Sequence, residues 1–157
     1  MRHTISVLVE NKFGVLARIA GLFSARGFNI DSLTVGETED PTASRMTLVV
    51  KGDDRTIDQV KKQLNRLIDV ITVKDLTKKD YIDRELALFK VGFTEKDKSR
   101  IAHMIEHAGG QILHRNAKVF LVQMVGTQEK VLALLEQMAA YDIKELTRTG
   151  KVAMSKE

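Results

Sequence analysis

The sequence predicts an α+β protein built from two consecutive βαββαβ units, and three observations lead to this fold class. Strand-like and helix-like hydrophobic patterns follow the order βαββαβ over residues 1–76, and the same order returns over residues 84–157. A helical apolar stripe after Gly52 recurs 74 residues later after Gly126, at the same offsets. Each unit is therefore expected to be a ferredoxin-like domain, a four-stranded antiparallel sheet with its helices on one face.

In the first unit, residues 1–76, the spacing of apolar residues identifies each strand and each helix. Apolar residues alternate with period two in the strands and recur at helical spacing in the helices, where Gly27 ends the first and Asp53 or Asp54 caps the second. In chain order the predicted elements are a strand at 5–10, a helix at 15–26, strands at 28–37 and 45–52, a helix along Ile57, Val60, Leu64 and Leu67, and a strand at 67–76.

The second unit, residues 84–157, follows a polar connector at 77–83. Its helices are marked by apolar stripes, a pair of glycines after the first and Thr127 as the candidate cap of the second. In chain order the predicted elements are a strand at 85–93, a helix at 94–109, strands at 111–117 and 119–126, a helix at 127–140 and a strand at 143–154.

Composition indicates an ordinary globular protein and excludes several classes. The 157 residues are 43% hydrophobic and 29% charged, so no segment requires disorder. The absence of cysteine excludes disulfides and thiolate metal sites. Because ISVLV near the N-terminus is too short for a signal peptide or a membrane span, we expect a cytoplasmic protein with no membrane association.

The net charge of +4 does not mark a nucleic-acid-binding protein. Residues 1–76 carry 11 basic and 10 acidic side chains and residues 77–157 carry 14 and 11, and the two signs are interleaved in both halves. An RNA-binding βαββαβ module is the alternative within this fold class. Only 5% of residues are aromatic, and the strands lack the basic and aromatic pattern on which bases stack, so we expect no nucleic-acid partner.

The predicted topology leaves two features of each sheet unsatisfied. The face without helices needs a cover, and the edge strands carry unpaired backbone groups. In the first unit the 28–37 strand is expected at an edge, with Leu33 and Val35 beside the open backbone. Pairing of this strand with a second copy of the chain would satisfy the edge, so we expect a homodimer.

The stretch NKFGVLAR, at 11–18, is the candidate binding loop. It leads into a helix through Gly14 without a Ser, Thr or Asp cap, so the free N–H groups and the positive helix end are available to a carboxylate. The side-chain oxygen of Asn11 could accept from an ammonium group, and together these groups match an amino-acid zwitterion. A simple turn is the alternative interpretation. The corresponding TEKDKSRIA has no glycine, so any ligand site is expected in the first unit.

The segment at 103–107 spells H-x-x-E-H, a zinc metalloprotease pattern. Ile101 and Ile105 should face the sheet, which points His103 and His107 to the opposite side of the helix. We therefore expect a solvated helix face and no metal site. No other catalytic constellation is present, which favours a protein without enzymatic activity of its own.

The residues from Ile5 to Val50, with RGFNIDSLTV and SRMT among them, resemble the ACT domain of the regulatory small subunits of acetolactate synthase, also called acetohydroxyacid synthase. The resemblance continues through LIDVITVKDL and REL at 84–86 and covers essentially the whole chain. Phe13 departs from it, because related loops often have proline or a small residue at this position.

The resemblance implies a non-catalytic subunit that activates the catalytic large subunit and makes it sensitive to feedback inhibition by valine. The chain would carry no cofactor, whereas the catalytic partner would hold thiamine diphosphate, FAD and Mg. A stand-alone ACT-domain amino-acid sensor with another target is the alternative. The implied effector contacts are Asn11, Gly14, Val15 and Leu16 of one chain and Asn29 and Ile30 of a second.

Overall fold

The computed structural model describes residues 1–157 and contains the βαββαβ order twice, followed by one short strand. The first repeat comprises β1 (Arg2–Glu10), α1 (Val15–Ser24), β2 (Ile30–Glu37), β3 (Ala43–Lys51), α2 (Asp54–Leu64) and β4 (Val70–Asp75). The second comprises β5 (Tyr81–Gly92), α3 (Lys98–His107), β6 (Gln111–Arg115), β7 (Val119–Gly126), α4 (Gln128–Met138) and β8 (Asp142–Arg148), and β9 (Val152–Ser155) follows it. The predicted fold class is confirmed. No helix is long and apolar enough to cross a membrane.

The first sheet has the antiparallel order β2-β3-β1-β4, so the predicted edge position of β2 is confirmed. Alternate residues of β1 and β3 pack with the inner faces of α1 and α2, because the strand and helix periods both turn their apolar residues to one layer. The buried members of this core are Ile5, Val7, Val9, Val15, Ile19, Phe23, Met46, Leu48, Val50, Ile57, Val60 and Leu64.

The second sheet contains the order β6-β7-β5-β8, and β9 pairs with β5. Its core lies between the sheet and the helices α3 and α4. The residues of the repeated helical stripe are buried in both α2 and α4, which confirms the internal repeat. The side chain of Asp53 accepts a hydrogen bond from the N–H of Thr56, and the side chain of Thr127 accepts one from the N–H of Lys130. Both residues therefore cap their helices as predicted.

Most predicted bounds differ from the observed ones by up to three residues, and in three elements the structure shows the reason. β5 begins at Tyr81, so the end of the predicted 77–83 connector is strand. The helix predicted from 94 begins at Lys98, because the N–H groups of Asp97 and Lys98 both bond to the carbonyl of Thr94 in a preceding turn. The strand predicted over 143–154 is interrupted before β9, where Gly150 adopts φ 80°, a conformation that L side chains rarely reach.

The chain divides into two compact units, Met1–Ile82 with Lys151–Glu157, and Asp83–Gly150. This division groups residues 151–157, which the predicted 84–157 domain includes, with the first unit, although β9 pairs with β5 of the second sheet. β9 contacts β1, and Ala153 is buried. A groove runs beside this contact. It is lined by Ser6 and Arg45 of the first sheet and by Ala153 and Ser155 of the 151–157 segment. The 151–157 segment therefore covers part of the first sheet's helix-free face.

Candidate functional site

The turn between β1 and α1 has the open helix start that the sequence predicted. Gly14 occupies the N-cap position in the left-handed conformation, at φ 80°, and α1 has no side-chain cap. The N–H of Val15 makes only a long, 3.4 Å bond to the carbonyl of Lys12. The N–H groups of Leu16 and Ala17 have no acceptor in the chain. Two donors at the positive end of the helix are therefore available to an anion.

Asn11 is held so that its side-chain oxygen stays available. Its Nδ2 donates to Glu37 Oε1 at 3.0 Å and to the carbonyl of Pro41 at 2.9 Å. Its backbone N–H donates to the carbonyl of Thr42 at 2.7 Å, which fixes the loop against the β2–β3 connection. Since both amide hydrogens are engaged, the Oδ1 atom is left as an acceptor for a cationic group.

Val15 and Leu16 follow Gly14 but have different surroundings. The side chain of Val15 is buried in the core of the first unit, so only its backbone can face a ligand. Leu16 is 43% exposed and presents apolar surface next to its own free N–H group. The loop thus combines backbone donors, an oxygen acceptor and a small apolar contact.

Asn29 and Ile30 lie far from this loop within one chain. Ile30 pairs with Val50, the residue that also pairs with His3 near the start of β1. Glu37, at the other end of β2, is the residue bound by Asn11. The two groups of predicted contacts therefore lie at opposite ends of the sheet, and a single chain does not bring them together.

Three charged residues beside the loop were not identified from the sequence. A Cβ atom on Gly14 would lie 3.5 Å from Arg18 Nη1, and Arg18 Nη2 is 2.6 Å from Asp69 Oδ2. Glu37 lies next to the loop because its carboxylate accepts a hydrogen bond from the Asn11 side chain. The position of Arg18, four residues after Gly14 on the same helix, is a signal that could have revealed its proximity. Asp69 and Glu37 reach the loop only through tertiary structure.

The electrostatic surroundings of the loop are mixed. A hydrogen bond from Lys12 Nζ to Glu10, together with the charge of that carboxylate, raises the pKa of Lys12 above its usual value. Arg18 adds a second cation close to the free N–H groups. Positive charge thus lies near the helix start, and Glu37 supplies negative charge near Asn11. Each of these cations is paired with a carboxylate, Lys12 with Glu10 and Arg18 with Asp69, so the charges at the helix start are largely balanced.

The H-x-x-E-H segment forms no comparable site. Ile101 and Ile105 are buried as predicted, and the exposed rings of His103 and His107 stack with centroids 6.2 Å apart. No group of three or more potential metal ligands is present in the chain.

The fold and the glycine loop define the first unit as an ACT domain, and comparison with known proteins gives the same class. Residues 5–72 match the family described as the AHAS small subunit-like ACT domain. Residues 84–157 match the family described as the small subunit of acetolactate synthase. The chain belongs to the acetolactate synthase small-subunit family.

Individual relatives agree with this assignment over nearly the full chain. A probable acetolactate synthase small subunit of Archaeoglobus fulgidus is 49% identical over 98% of this chain and 96% of its own length. The acetolactate synthase small subunit of Haemophilus influenzae is 40% identical over 99% of this chain and 96% of its own length. The crystal structure of the small subunit from Thermotoga maritima superimposes with a TM-score of 0.91 at 39% identity, covering 100% of this chain and 98% of that one.

Proposed function

We propose that the chain binds the catalytic large subunit of acetolactate synthase, raises its activity and makes it sensitive to feedback inhibition by valine. The observation that carries the valine site is the uncapped start of α1, with two free N–H donors and the available oxygen of Asn11 on the same loop. Membership of the small-subunit family supports the partnership with the large subunit. The cofactors of the reaction, thiamine diphosphate, FAD and Mg, belong to the catalytic partner in this proposal.

Each part of valine has a matching group at the loop. The carboxylate accepts hydrogen bonds from the N–H groups of Leu16 and Ala17, with Arg18 close enough to strengthen the attraction. The ammonium group donates to Asn11 Oδ1 and is attracted by Glu37. The isopropyl group packs on apolar side chains such as Leu16, where one methylene more or less changes affinity by only about 1–3 kcal/mol.

A second copy of the chain completes the site. When two β2 strands pair in antiparallel fashion, the start of one lies beside the end of the other. Asn29 and Ile30 of one chain are then next to Glu37 of the second, and hence next to the Asn11 that binds it. The edge position of β2 and the 44% exposure of Val35 support this pairing.

Inhibition requires more than binding. Valine changes the activity of the catalytic subunit only if the free and valine-bound dimers contact that subunit differently. A coupling free energy of about 1–3 kcal/mol is typical, which corresponds to a change of about 5–150-fold.

The experiment that tests the proposal compares Gly14→Asp with Gly14→Ala in the reconstituted holoenzyme. Both variants place a side chain at the left-handed position, but only the aspartate puts a carboxylate where that of valine would bind. We expect the half-inhibitory valine concentration to be at least about tenfold higher for Gly14→Asp than for Gly14→Ala, because like charges repel. Equal valine sensitivity of the two variants would show that valine binds elsewhere.

A pull-down separates this proposal from a stand-alone sensor. The immobilised chain should retain the acetolactate synthase catalytic subunit from the same organism, and its addition should raise the rate of acetolactate formation. Failure to bind or to activate that subunit would favour a different target.

A further inference from the structure

The backbone of Lys151 is bound to two hydroxyl groups on the edge strand β2. Its N–H donates to Ser32 Oγ, and its carbonyl accepts from Thr34 Oγ1, each at 3.4 Å. Ser32 and Thr34 are two residues apart and therefore lie on the same face of β2. They pair with Val49 and Thr47, on the face opposite to the core residues Leu48 and Met46. This is the helix-free face that the 151–157 segment covers.

The side chain of Lys151 is also held within the first unit. The residue is 8% exposed, its Nζ lies 3.5 Å from the hydroxyl of Tyr81, and the same atom is 5.7 Å from the centre of the Tyr81 ring. Tyr81 begins β5, the strand with which β9 pairs. Lys151 therefore joins β2 to the strand through which the chain leaves the first unit.

The same residue marks the point where the chain returns to the first unit. Gly150 is the end of the second unit, and its turn at φ 80° directs the chain into Lys151. Just before it, the N–H of Thr149 donates to the carbonyl of Leu86 in β5 at 3.0 Å. A displacement of β2 would therefore move Lys151, which is bonded directly to Gly150, the last residue of the second unit.

β2 has a local irregularity between Ile30, a proposed effector contact, and Ser32, which binds Lys151. Its register with β3 shifts between Ile30 and Ser32, so that Asp31 lies in a bulge. Asp31 is itself bound by Arg2 Nε at 3.0 Å. Movement of Ile30 on effector binding would be transmitted into β2 at this bulge, immediately before Ser32.

We propose that the hydroxyls of Ser32 and Thr34, with the backbone of Lys151, form a latch that couples effector binding on β2 to the 151–157 segment and, through Gly150, to the second unit. This rests on the proposed function. The latch residues are positioning residues that act after binding, and they do not contact the effector. Removing the hydroxyls should uncouple inhibition from valine binding.

The test uses the full chain in the reconstituted holoenzyme, with the double variant Ser32→Ala/Thr34→Val. The matched control is Thr72→Val. Thr72 lies on β4, the edge strand opposite to β2, where it pairs with Leu8 of β1 and is away from the latch. A second control, Ser32→Thr/Thr34→Ser, retains both hydroxyls and should behave as the unmodified chain.

We expect three results for the double variant. Amide hydrogen exchange at Lys151 should become about tenfold faster in the isolated protein, because its N–H loses the Ser32 hydroxyl as acceptor and its carbonyl loses the Thr34 donor. The valine dissociation constant from calorimetry should stay within about twofold. The effect of saturating valine on the rate of acetolactate formation should fall at least about fivefold, the lower end of typical allosteric coupling.

Each contrary result overturns a defined part. Unchanged exchange would show that the hydroxyls do not hold the segment, and full inhibition despite faster exchange would refute the coupling. Loss of valine binding would also overturn the proposal, since the hydroxyls would then belong to the effector site. If the unmodified chain bound no valine, the proposed function and the coupling would both fail. The exchange measurement, which needs no valine, would still decide whether the latch exists.

Discussion

Replacement of Arg18 by methionine should destabilise the first unit by about 2 kcal/mol. The guanidinium lies 2.6 Å from the Asp69 carboxylate, whose side chain is 10% exposed whereas that of Arg18 is 51% exposed. Without Arg18 a nearly buried carboxylate oxygen loses its partner, which costs about 1–3 kcal/mol. Because Arg18 is partly exposed, we expect a smaller loss of stability than the loss that follows when a fully buried ion pair is broken.

Urea denaturation at neutral pH measures this effect, and thermal unfolding offers a second readout. A loss of about 2 kcal/mol corresponds to a lower midpoint by about 4–8 °C for a chain of this size. Asp69→Asn and the double variant complete a double-mutant cycle, in which we expect a coupling energy of about 1 kcal/mol. Arg26→Met, just beyond the end of α1, is the control, because Arg26 is exposed and makes no ion pair.

A change below about 0.5 kcal/mol for Arg18→Met, or a coupling energy near zero, would refute this reasoning. The ion pair would then be a surface contact of little energetic value. The same variant should also weaken valine binding, because Arg18 lies beside the proposed carboxylate position.

Two further predictions concern packing and pH. Gly110→Ala should cost about 1–3 kcal/mol in urea denaturation, because its Cβ would lie 2.9 Å from Cγ2 of buried Ile105. Burial raises the pKa of Asp75, but hydrogen bonds from Thr77 and Lys61 outweigh it and leave the pKa below its usual value. This contribution to stability is complete above the unfolded pKa of about 3.9 and is lost as the pH falls through the folded value, so Asp75→Asn should flatten the acid side of the stability profile.

Each of these predictions has a clear contrary result. Gly21→Ala is the packing control, since a Cβ there meets nothing within 4 Å and Gly21 lies on α1, away from the proposed pairing of β2. Equal stability of the two alanine variants would mean that Ile105 moves aside without cost. An unchanged acid profile for Asp75→Asn would show that other carboxylates set the acid limit.

The repeated fold could be predicted because each element carries a local signal. The apolar residues of α2 and α4 recur at helical spacing, and the same residues are buried in the structure. The start of α1 is also encoded locally, since the absence of a capping residue before Val15 can be seen in the sequence and in the structure. Local patterns therefore specify the sheets, the helices and the open loop.

The position of the 151–157 segment could not be predicted in this way. KVAMS alternates like any short strand, and nothing in its composition indicates that it contacts β1 in addition to pairing with β5. Its place depends in part on two hydrogen bonds between Lys151 and residues more than 110 positions earlier, in which the N–H of Lys151 donates to Ser32 and its carbonyl accepts from Thr34. The same limit applies to Asp69, whose pairing with Arg18 spans 51 positions. Long-range contacts between polar groups leave no periodic trace in a single sequence.

The inclusion of residues 151–157 in the first unit has a consequence for synthesis on the ribosome. The first unit cannot acquire its final cover until the intervening Asp83–Gly150 segment has been made, which takes roughly 3–14 seconds at about 5–20 residues per second. During that interval β1 and β3 present an uncovered face to the solvent. The nascent first unit is thus a candidate client for chaperones, although it is the first part of the chain to be synthesised.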